Sequence, residues 1–434
     1  MTKLFKLDSV NGFQVFVLLR FSFAILTSIA MAKSGISLSE IGVYEALMLV
    51  GGSLTFFWMT GLLNGLLPVY PTLKENEKAG FVFNIFILFI TLSSLVAGLM
   101  WYFRDWIALG MTNFETLPYF NWLCLWITIN LPTFLIEYLY ILLKKPKQII
   151  VFGVYSFLGQ FLIIILPLML GYSMEISFIG LVILAATKLV WLISLLFQHS
   201  RVNWNFRPLI PYLWIASPIA LYTLTGGMMN YIDGVVIMKY YNEEIFAIYR
   251  NGAREFPLAL ALLMAMSTAL VPNISEHLSS GLGQIKHRTK NLMYPLFGAS
   301  IFLMFISKWA YPIVFSAEFA DSALVFNIYL LALISRILLP QTILIGLKKT
   351  KAILWASLIE TAVNLGLSLL LIQSWGIAGV AAATIIAFTL EKVLLIIYTR
   401  QILKIKLSSY LDVKRYIWCT IALIGSYILV IMFQ

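Results

Sequence analysis

The sequence predicts an all-α, polytopic membrane protein, in which two parallel six-helix lobes form a V-shaped bundle and an extra helix follows them. Three observations predict this fold: an apolar composition, a series of apolar stretches of spanning length, and an internal repeat. Of the 434 residues, 61% are hydrophobic and 11% are charged, and the mean hydropathy is +0.93. In soluble domains about a quarter of the residues are charged, so this composition excludes an ordinary soluble domain.

About thirteen stretches of the chain are apolar over the roughly 20 residues that a spanning helix needs. They cover residues 12–32, 40–63, 81–102, 119–142, 149–171, 176–197, 211–238, 246–271, 292–315, 322–346, 352–373, 376–399 and 415–433. The connections between them are short. We therefore expect no separate extramembrane domain, and the function is expected to lie within the helix bundle.

The distribution of Lys and Arg predicts the orientation of these helices. If the N-terminus is cytoplasmic, 20 of the 30 Lys and Arg residues fall in cytoplasmic segments. Cytoplasmic loops retain positive charge in membrane proteins. The sequence therefore predicts a multi-pass protein of the plasma membrane with a cytoplasmic N-terminus. The net charge of +11 is explained by topology rather than by nucleic-acid binding, and no nucleic acid is expected as a partner.

An internal repeat appears when the chain is aligned with itself at a shift of 204 residues. The coincidences are Lys144-Lys145-Pro146-Lys147 on Lys348-Lys349-Thr350-Lys351, Ile149 on Ile353, Glu40-Ile41 on Glu244-Ile245, and Pro68 on Pro272. Because each repeat contains six helices, both begin on the same membrane face, as in parallel transporter repeats. The predicted domains are residues 1–205, residues 206–404, and the extra helix in residues 405–434.

Basic side chains outnumber acidic ones at membrane depth. The candidate substrate-binding cations of the predicted cavity are Arg20, Lys188, Arg250, Arg254, Lys308 and Arg336. A cation at the centre of a spanning helix costs at least about 2.5 kcal/mol, so we expect these residues to face a watery cavity or one another. There Arg can offer a planar fork to phosphate or carboxylate. Asp233 and Glu360 are candidates for ion coupling or for charge pairs.

Two other interpretations of these charges remain open. Side chains near an interface can extend their charged ends to the headgroups, and this applies to Lys239, Arg250, Arg254, Glu137 and Lys392. Alternatively, Arg20, Lys188 and Arg336 can form buried ion pairs with an acidic residue such as Asp233 or Glu360. Asp233 can likewise pair with Arg254 and lock two neighbouring helices together.

No enzyme motif occurs in the sequence. There is no phosphate-binding GxxxxGK[ST] loop, no HExxH motif, and no nucleophile with a plausible base. The three histidines, His199, His277 and His287, fall in predicted cytoplasmic loops without the spacing of metal ligands. We therefore predict no catalytic residue, no metal site and no cofactor, apart from an H⁺ or Na⁺ ion used for coupling.

Three segments resemble a known family: IDGVVIMKYYNEEIFAIYRNGAREFP at residues 232–257, STALVPNISE at 267–276, and WGIAGVAAATIIA at 375–387. With the two-lobe plan, they resemble the polysaccharide transporter branch of the multidrug/oligosaccharidyl-lipid/polysaccharide exporter superfamily, the Wzx-type flippases. Members of this branch move a polyprenyl-diphosphate-linked oligosaccharide to the outer leaflet of the bacterial inner membrane. The resemblance implies a cavity between the lobes, lined with cations that receive the diphosphate. By position, Arg20, Arg250 and Arg254 match arginines of such cavities, and Asp233 matches a common acidic residue on helix 7.

We therefore hypothesise a transporter that flips an O-antigen unit of lipopolysaccharide, or another surface-polysaccharide repeat unit, to the periplasmic leaflet by alternating access. Expected partners are this polyprenyl-diphosphate-linked oligosaccharide, membrane lipids, and a glycan polymerase and ligase. Two alternatives remain: a lipid II (peptidoglycan precursor) flippase, which shares the headgroup chemistry, and a drug/cation antiporter of the same superfamily. A cation exporter should concentrate acidic residues at depth, whereas this sequence concentrates basic ones.

Overall fold

The computed structural model describes residues 9–432, and within that range all regular structure is helical. The chain divides into two compact units, Met1–Gly227 and Met228–Gln434. The predicted lobe boundary, after residue 205, lies before this division because the helix at Leu209–Gly227 packs within the first unit. Each unit is described by itself below.

The first unit is a helical bundle in which most helices are long enough to span a bilayer. Its helices are α1 Ser9–Lys33, α2 Leu38–Val69, α3 Glu75–Tyr102, α4 Arg104–Met111, α5 Phe120–Thr133, α6 Leu135–Leu142, α7 Pro146–Met169, α8 Met174–His199 and α9 Leu209–Gly227. Together, α5 and α6 make up one predicted span, which is interrupted at Phe134.

Helices α2 and α9 pack closely through small residues. A Cβ atom at Gly61 would lie 2.4 Å from Ala220, and one at Gly65 would lie 2.8 Å from the Cβ of Ala216. The buried hydroxyl of Tyr212 donates a hydrogen bond of 2.7 Å to a backbone carbonyl of α2. Small residues allow membrane helices to approach closely, so this pairing explains why α9 belongs to the first unit.

The second unit contains several short helices, two long ones and one bent span. Its helices are α10 Met229–Tyr240, α11 Glu243–Gly252, α12 Pro257–Glu276, α13 Leu278–Val314, α14 Ser322–Leu330, α15 Ala332–Arg336, α16 Pro340–Gly346, α17 Thr350–Gln401, α18 Leu407–Tyr410 and α19 Val413–Met432. The helices of residues 322–346 bend by 44° between Arg336 and Pro340.

Helix α17 contains two predicted spans joined at Gly376. This residue has φ 58° and ψ −141°, which is not a helical conformation. Glycine tolerates this conformation because it has no Cβ atom. Residues 352–373 and 376–399 are therefore two helices on either side of a kink, although they form one continuous element of 52 residues.

The prediction of an all-α membrane fold is confirmed. Between residues 9 and 432, ten helices are long and apolar enough to cross a membrane, or eleven if the bent pair at 322–346 is one span. The predicted number was about thirteen. The difference arises because α17 holds two predicted spans and because the predicted span at 211–238 is broken between α9 and α10.

The same backbone turn occurs at positions 204 residues apart, once in each unit. Lys144 and Lys348 have φ values of 54° and 58°, in the left-handed region that is uncommon for lysine. In both turns the next residue closes the preceding helix: Lys145 N–H donates to Tyr140 O at 2.9 Å, and Lys349 N–H donates to Leu344 O at 2.8 Å. This local structure follows the register of the sequence repeat.

The last helix, α19, packs into the core of the second unit. Cys419 and Leu423 lie in the same buried apolar cluster as Met304 of α13. At the start of α19, Asp412 accepts a hydrogen bond of 3.2 Å from the backbone amide of Arg415. The helix outside the sequence repeat is therefore fixed to α13.

Candidate functional site

The first unit places one of the predicted cations, Arg20, in an ion pair. Its Nη2 atom donates to Oε2 of Glu137 at 2.8 Å, between α1 and α6. The guanidinium also lies over the rings of Phe16, Phe134 and Phe157, at 5.0, 5.7 and 5.6 Å from their centroids. Glu137 was open to interpretation as a residue that reaches the headgroups, but it is 3% exposed and serves as the counter-ion of Arg20.

The second predicted cation of this unit, Lys188 on α8, has a neutral partner. Its Nζ atom donates a hydrogen bond to Oδ1 of the buried Asn130 on α5. Lys188 also interacts electrostatically with Glu137 and Arg20. We call Arg20, Lys188, Glu137 and Asn130 the first-unit cluster. With all groups ionised it holds two positive charges and one negative charge, so one positive charge is uncompensated.

The second unit separates its predicted cations. Arg336 forms a two-point ion pair with Glu255, at 2.8 Å from Nε and 2.6 Å from Nη2, and its guanidinium lies 4.0 Å from the ring centroid of Phe388. This fork is already used by a carboxylate of the same chain. Arg336 is therefore less available to a bound anion than Lys188.

The remaining predicted cations lie closer to the surface of their unit. Arg254 is half-buried, and its Nη2 atom donates to Oδ1 of Asn251 at 2.9 Å. Arg250 and Lys308 are exposed. Exposed long side chains can reach headgroups or a soluble anion without the cost of burial.

Asp233 on α10 forms the centre of a buried hydroxyl cluster. Its Oδ2 atom accepts hydrogen bonds from Tyr249 at 3.0 Å and Tyr329 at 3.2 Å, and from Thr384 at 2.5 Å. Asp233 makes no ion pair among residues 9–432, so the suggested pairing with an arginine is not found there. Three hydroxyl donors stabilise a carboxylate without neutralising its charge.

Two oxygen atoms of this cluster lack a hydrogen-bond donor. Asp233 Oδ1 is buried without a partner. Asn364 on α17 donates its Nδ2 hydrogen to Thr384 at 3.0 Å, and its own Oδ1 is also buried without a partner. Oxygen atoms of carboxylates and amides are the ligands that hard cations prefer. The two unpartnered oxygen atoms are therefore candidate ligands of a cation.

Glu360, the other predicted coupling residue, lies one helical turn before Asn364 on α17. It is buried and has no hydrogen bond or ion pair to the described part of the chain. Lys392 is 2% exposed and donates to Oε2 of Glu391 at 2.7 Å. It is therefore held inside the unit rather than extended to the headgroups.

Comparison with known families gives one family match over most of the chain. The family model described as lipid II flippase MurJ matches residues 57–434. No curated protein matches the sequence significantly.

Solved structures with the same fold include a lipid II flippase MurJ in an inward closed conformation, with a TM-score of 0.78, 16% identity, and coverage of 98% of this chain and 92% of that one. An inward-facing multidrug resistance MATE family transporter of the MOP superfamily has a TM-score of 0.64 at 11% identity, covering 94% and 98% of the two chains. A MOP superfamily transporter from Pyrococcus furiosus has a TM-score of 0.61 at 11% identity, covering 98% and 99%. At these identities the likeness shows the fold alone.

The family match corrects one prediction and confirms others. The resemblance to Wzx-type polysaccharide flippases is wrong, because the family model that matches 57–434 is that of the lipid II flippase. The quoted motifs are loose patterns of small and apolar residues. The predictions of a flippase, of a transporter rather than an enzyme, and of a multi-pass inner-membrane protein are confirmed.

Proposed function

The chain belongs to the family of the lipid II flippase MurJ, and from this premise we propose that it moves lipid II across the bacterial inner membrane. Lipid II is a polyprenyl-diphosphate-linked precursor of peptidoglycan. The protein carries its headgroup from the cytoplasmic to the periplasmic leaflet by alternating access. This proposal replaces the O-antigen hypothesis with the alternative that shares its headgroup chemistry.

The observation that carries the proposal is the uncompensated positive charge of the first-unit cluster. Two cations, Arg20 and Lys188, share the single carboxylate of Glu137. Lys188 donates to the neutral amide oxygen of Asn130. An anionic ligand can take the place of this amide and adds the attraction between opposite charges. A diphosphate supplies the missing negative charge. A cationic drug would increase the imbalance, which disfavours the antiporter alternative.

The other predicted cations have different roles in this proposal. Arg250, Arg254 and Lys308 are placed to attract an anionic headgroup, because each is at least partly exposed. Arg336 is paired with Glu255 and is proposed to act only after that pair opens.

We also propose that transport is coupled to a monovalent cation at Asp233. The buried and unpartnered oxygen atoms of Asp233 and Asn364 support this role. Asp233→Asn should remove the dependence of flipping on the ion gradient. The flipping rate is measured while the Na⁺ concentration is varied at constant pH, and while the pH is varied at constant Na⁺. This comparison distinguishes Na⁺ from H⁺ as the coupling ion. A D233N variant whose gradient dependence equals that of the unchanged protein would contradict the assignment.

The test of lipid II transport is a flipping assay with the full chain in proteoliposomes. Labelled lipid II is placed in one leaflet, and its appearance in the other is measured with an impermeant reagent. A hydrogen bond to a charged group contributes about 1.5–3 kcal/mol, so Lys188→Met should slow flipping by about tenfold or more, whereas Lys188→Arg should retain most of the rate. Lys147→Met, at an exposed lysine, is the matched control.

Two outcomes of this assay contradict the proposal. One is flipping of a lipid-linked O-antigen unit, with no flipping of lipid II. The other is a K188M protein that folds normally and flips lipid II at the unchanged rate. A glycan polymerase that consumes the flipped precursor remains a predicted partner, as do membrane lipids; the ligase was predicted with the O-antigen hypothesis.

A further inference from the structure

A group of charged side chains in the second unit contains more carboxylates than cations. We call it the acid-rich cluster, and its members are Glu255, Arg336, Glu360, Glu391 and Lys392. The other four members interact electrostatically with Glu360. Glu255 precedes α12, Arg336 ends α15, and the other three lie on α17. With every group ionised, the cluster carries three negative and two positive charges.

Two of the three carboxylates are compensated by direct ion pairs. Glu255 accepts both hydrogen bonds of the Arg336 fork, at 2.8 and 2.6 Å. Glu391 accepts from Lys392 at 2.7 Å, and its other oxygen accepts a hydrogen bond from Gln341. Both cations are therefore already used.

Glu360 is the carboxylate that remains. It is 6% exposed, and no described residue forms an ion pair or hydrogen bond with it. Glu360 interacts electrostatically with one carboxylate, Glu391, and with one cation, Lys392. An isolated ionised carboxylate in a low-dielectric interior is costly, and proteins avoid this cost by neutralising the group.

We infer that Glu360 binds an exchangeable proton, which brings the acid-rich cluster to charge neutrality. A metal ion would meet two cations, Arg336 and Lys392, at this position, and their nitrogen atoms are donors that cannot act as ligands while protonated. Among residues 9–432, no group of three or more His, Cys, Asp or Glu side chains is arranged to hold a metal ion. A proton needs only the carboxylate itself.

The proton site is separate from the cation site proposed at Asp233. Glu360 and Asn364 are four residues apart on α17, and Asn364 bonds to Thr384 of the Asp233 cluster. Residues four apart lie on the same face of a helix. Glu360 and Asn364 of the proposed cation site therefore lie on one face of α17, whereas Asp233 itself lies on α10. The inference concerns proton binding alone, so it does not depend on which lipid is transported.

Infrared difference spectroscopy of the full chain in lipid nanodiscs tests this inference directly. A protonated carboxyl group has a carbonyl band that is distinct from the bands of a carboxylate. The unchanged protein should lose such a band as the pH is raised. Glu360→Gln should abolish this loss, and Glu360→Asp should restore it at a shifted frequency. Glu276→Gln, at an exposed glutamate, is the matched control and should behave as the unchanged protein does.

A second variant tests the charge-balance argument independently of whether E360Q folds. Glu391→Gln leaves two carboxylates and two cations in the acid-rich cluster, so Glu360 should then release its proton at a lower pH than in the unchanged protein. The inference is overturned if the pH-dependent band persists in E360Q, or if E391Q leaves the pH of proton release unchanged. It is also overturned if Na⁺ at constant pH raises the thermal unfolding midpoint of the unchanged protein and E360Q abolishes that increase, which would identify a metal-ion site.

Discussion

A double-mutant cycle on Arg20 and Glu137 measures how strongly the two residues of this ion pair stabilise each other. Glu137 is 3% exposed, whereas the Arg20 side chain is 40% exposed. Removing one partner of a buried ion pair costs about 3–5 kcal/mol. Because the Arg20 side chain is only partly buried, we expect Glu137→Met to lower the free energy of unfolding by about 2–3 kcal/mol.

The opposite single replacement should cost less. After Arg20→Met, the carboxylate of Glu137 still interacts with Lys188. We therefore expect a loss of about 1–2 kcal/mol. In the double variant an apolar pair replaces the ion pair, and its loss should not exceed that of E137M alone, giving a coupling energy of about 1–2 kcal/mol.

The measurement is denaturant unfolding in detergent micelles, followed by tryptophan fluorescence, for the unchanged protein and the three variants. Additive losses within about 0.5 kcal/mol would show no coupling between the two residues. That result would refute the description of Glu137 as the counter-ion of Arg20. An R20M loss larger than the E137M loss would refute the compensating role of Lys188.

Three further predictions concern stability, and each is measured as the thermal unfolding midpoint. Gly65→Leu should separate α2 from α9 and cost about 1–3 kcal/mol, because even a Cβ atom there would lie 2.8 Å from a side chain of α9; an unchanged midpoint would contradict this packing. Gly376→Ala should cost at least about 1 kcal/mol, because alanine is strained at φ 58° and ψ −141°, whereas Gly98→Ala, in open space, should cost no such penalty. The backbone amide of Arg415, and then the charge of Lys290, hold the pKa of Asp412 below its usual value. Because its pKa is lower in the folded state, ionised Asp412 stabilises the fold above the unfolded pKa of about 3.9, and this contribution is lost as the pH falls further. Asp412→Asn should therefore remove this part of the decrease in the unfolding midpoint at acidic pH.

Much of the fold could be predicted from the sequence because a bilayer imposes simple requirements on length and polarity. Each of the thirteen apolar stretches contains helical residues, and the repeat of 204 residues coincides with a shared backbone turn at Lys144 and Lys348. The breaks were not predicted. Gly376 lies among helix-forming residues, and only its φ value reveals the kink. The packing of α9 on α2 brings together residues about 150 positions apart. Such a contact cannot be predicted from the pattern of hydrophobic residues along the chain.

The candidate sites were predicted less completely, because charge at depth identifies residues but not their partners. Arg20 and Lys188 were selected for their position. Reaching the headgroups was left open for Glu137, because it lies near the end of a span, and it was not identified as the partner of Arg20. Asp233 was a candidate for ion coupling or for pairing with an arginine, and its hydrogen-bond partners are hydroxyl groups. Tyrosines and threonines are too common in membrane helices for Tyr249 or Thr384 to be singled out by type.

The repeat nevertheless contains a signal for these sites, once the partners are known. The shift of 204 residues places Lys188 on Lys392, Glu137 on Gln341, and a serine on Glu360. A lysine occurs at the same place in both units, half-buried in the first and buried in the second, but its surroundings have opposite charge. In the first unit the lysine and Arg20 exceed the carboxylates by one, whereas in the second the carboxylates exceed the cations by one. An uncompensated positive charge favours an anionic ligand, and an uncompensated carboxylate favours a proton. The two lysine positions that the repeat relates thus belong to the proposed substrate site in one unit and to the proposed proton site in the other.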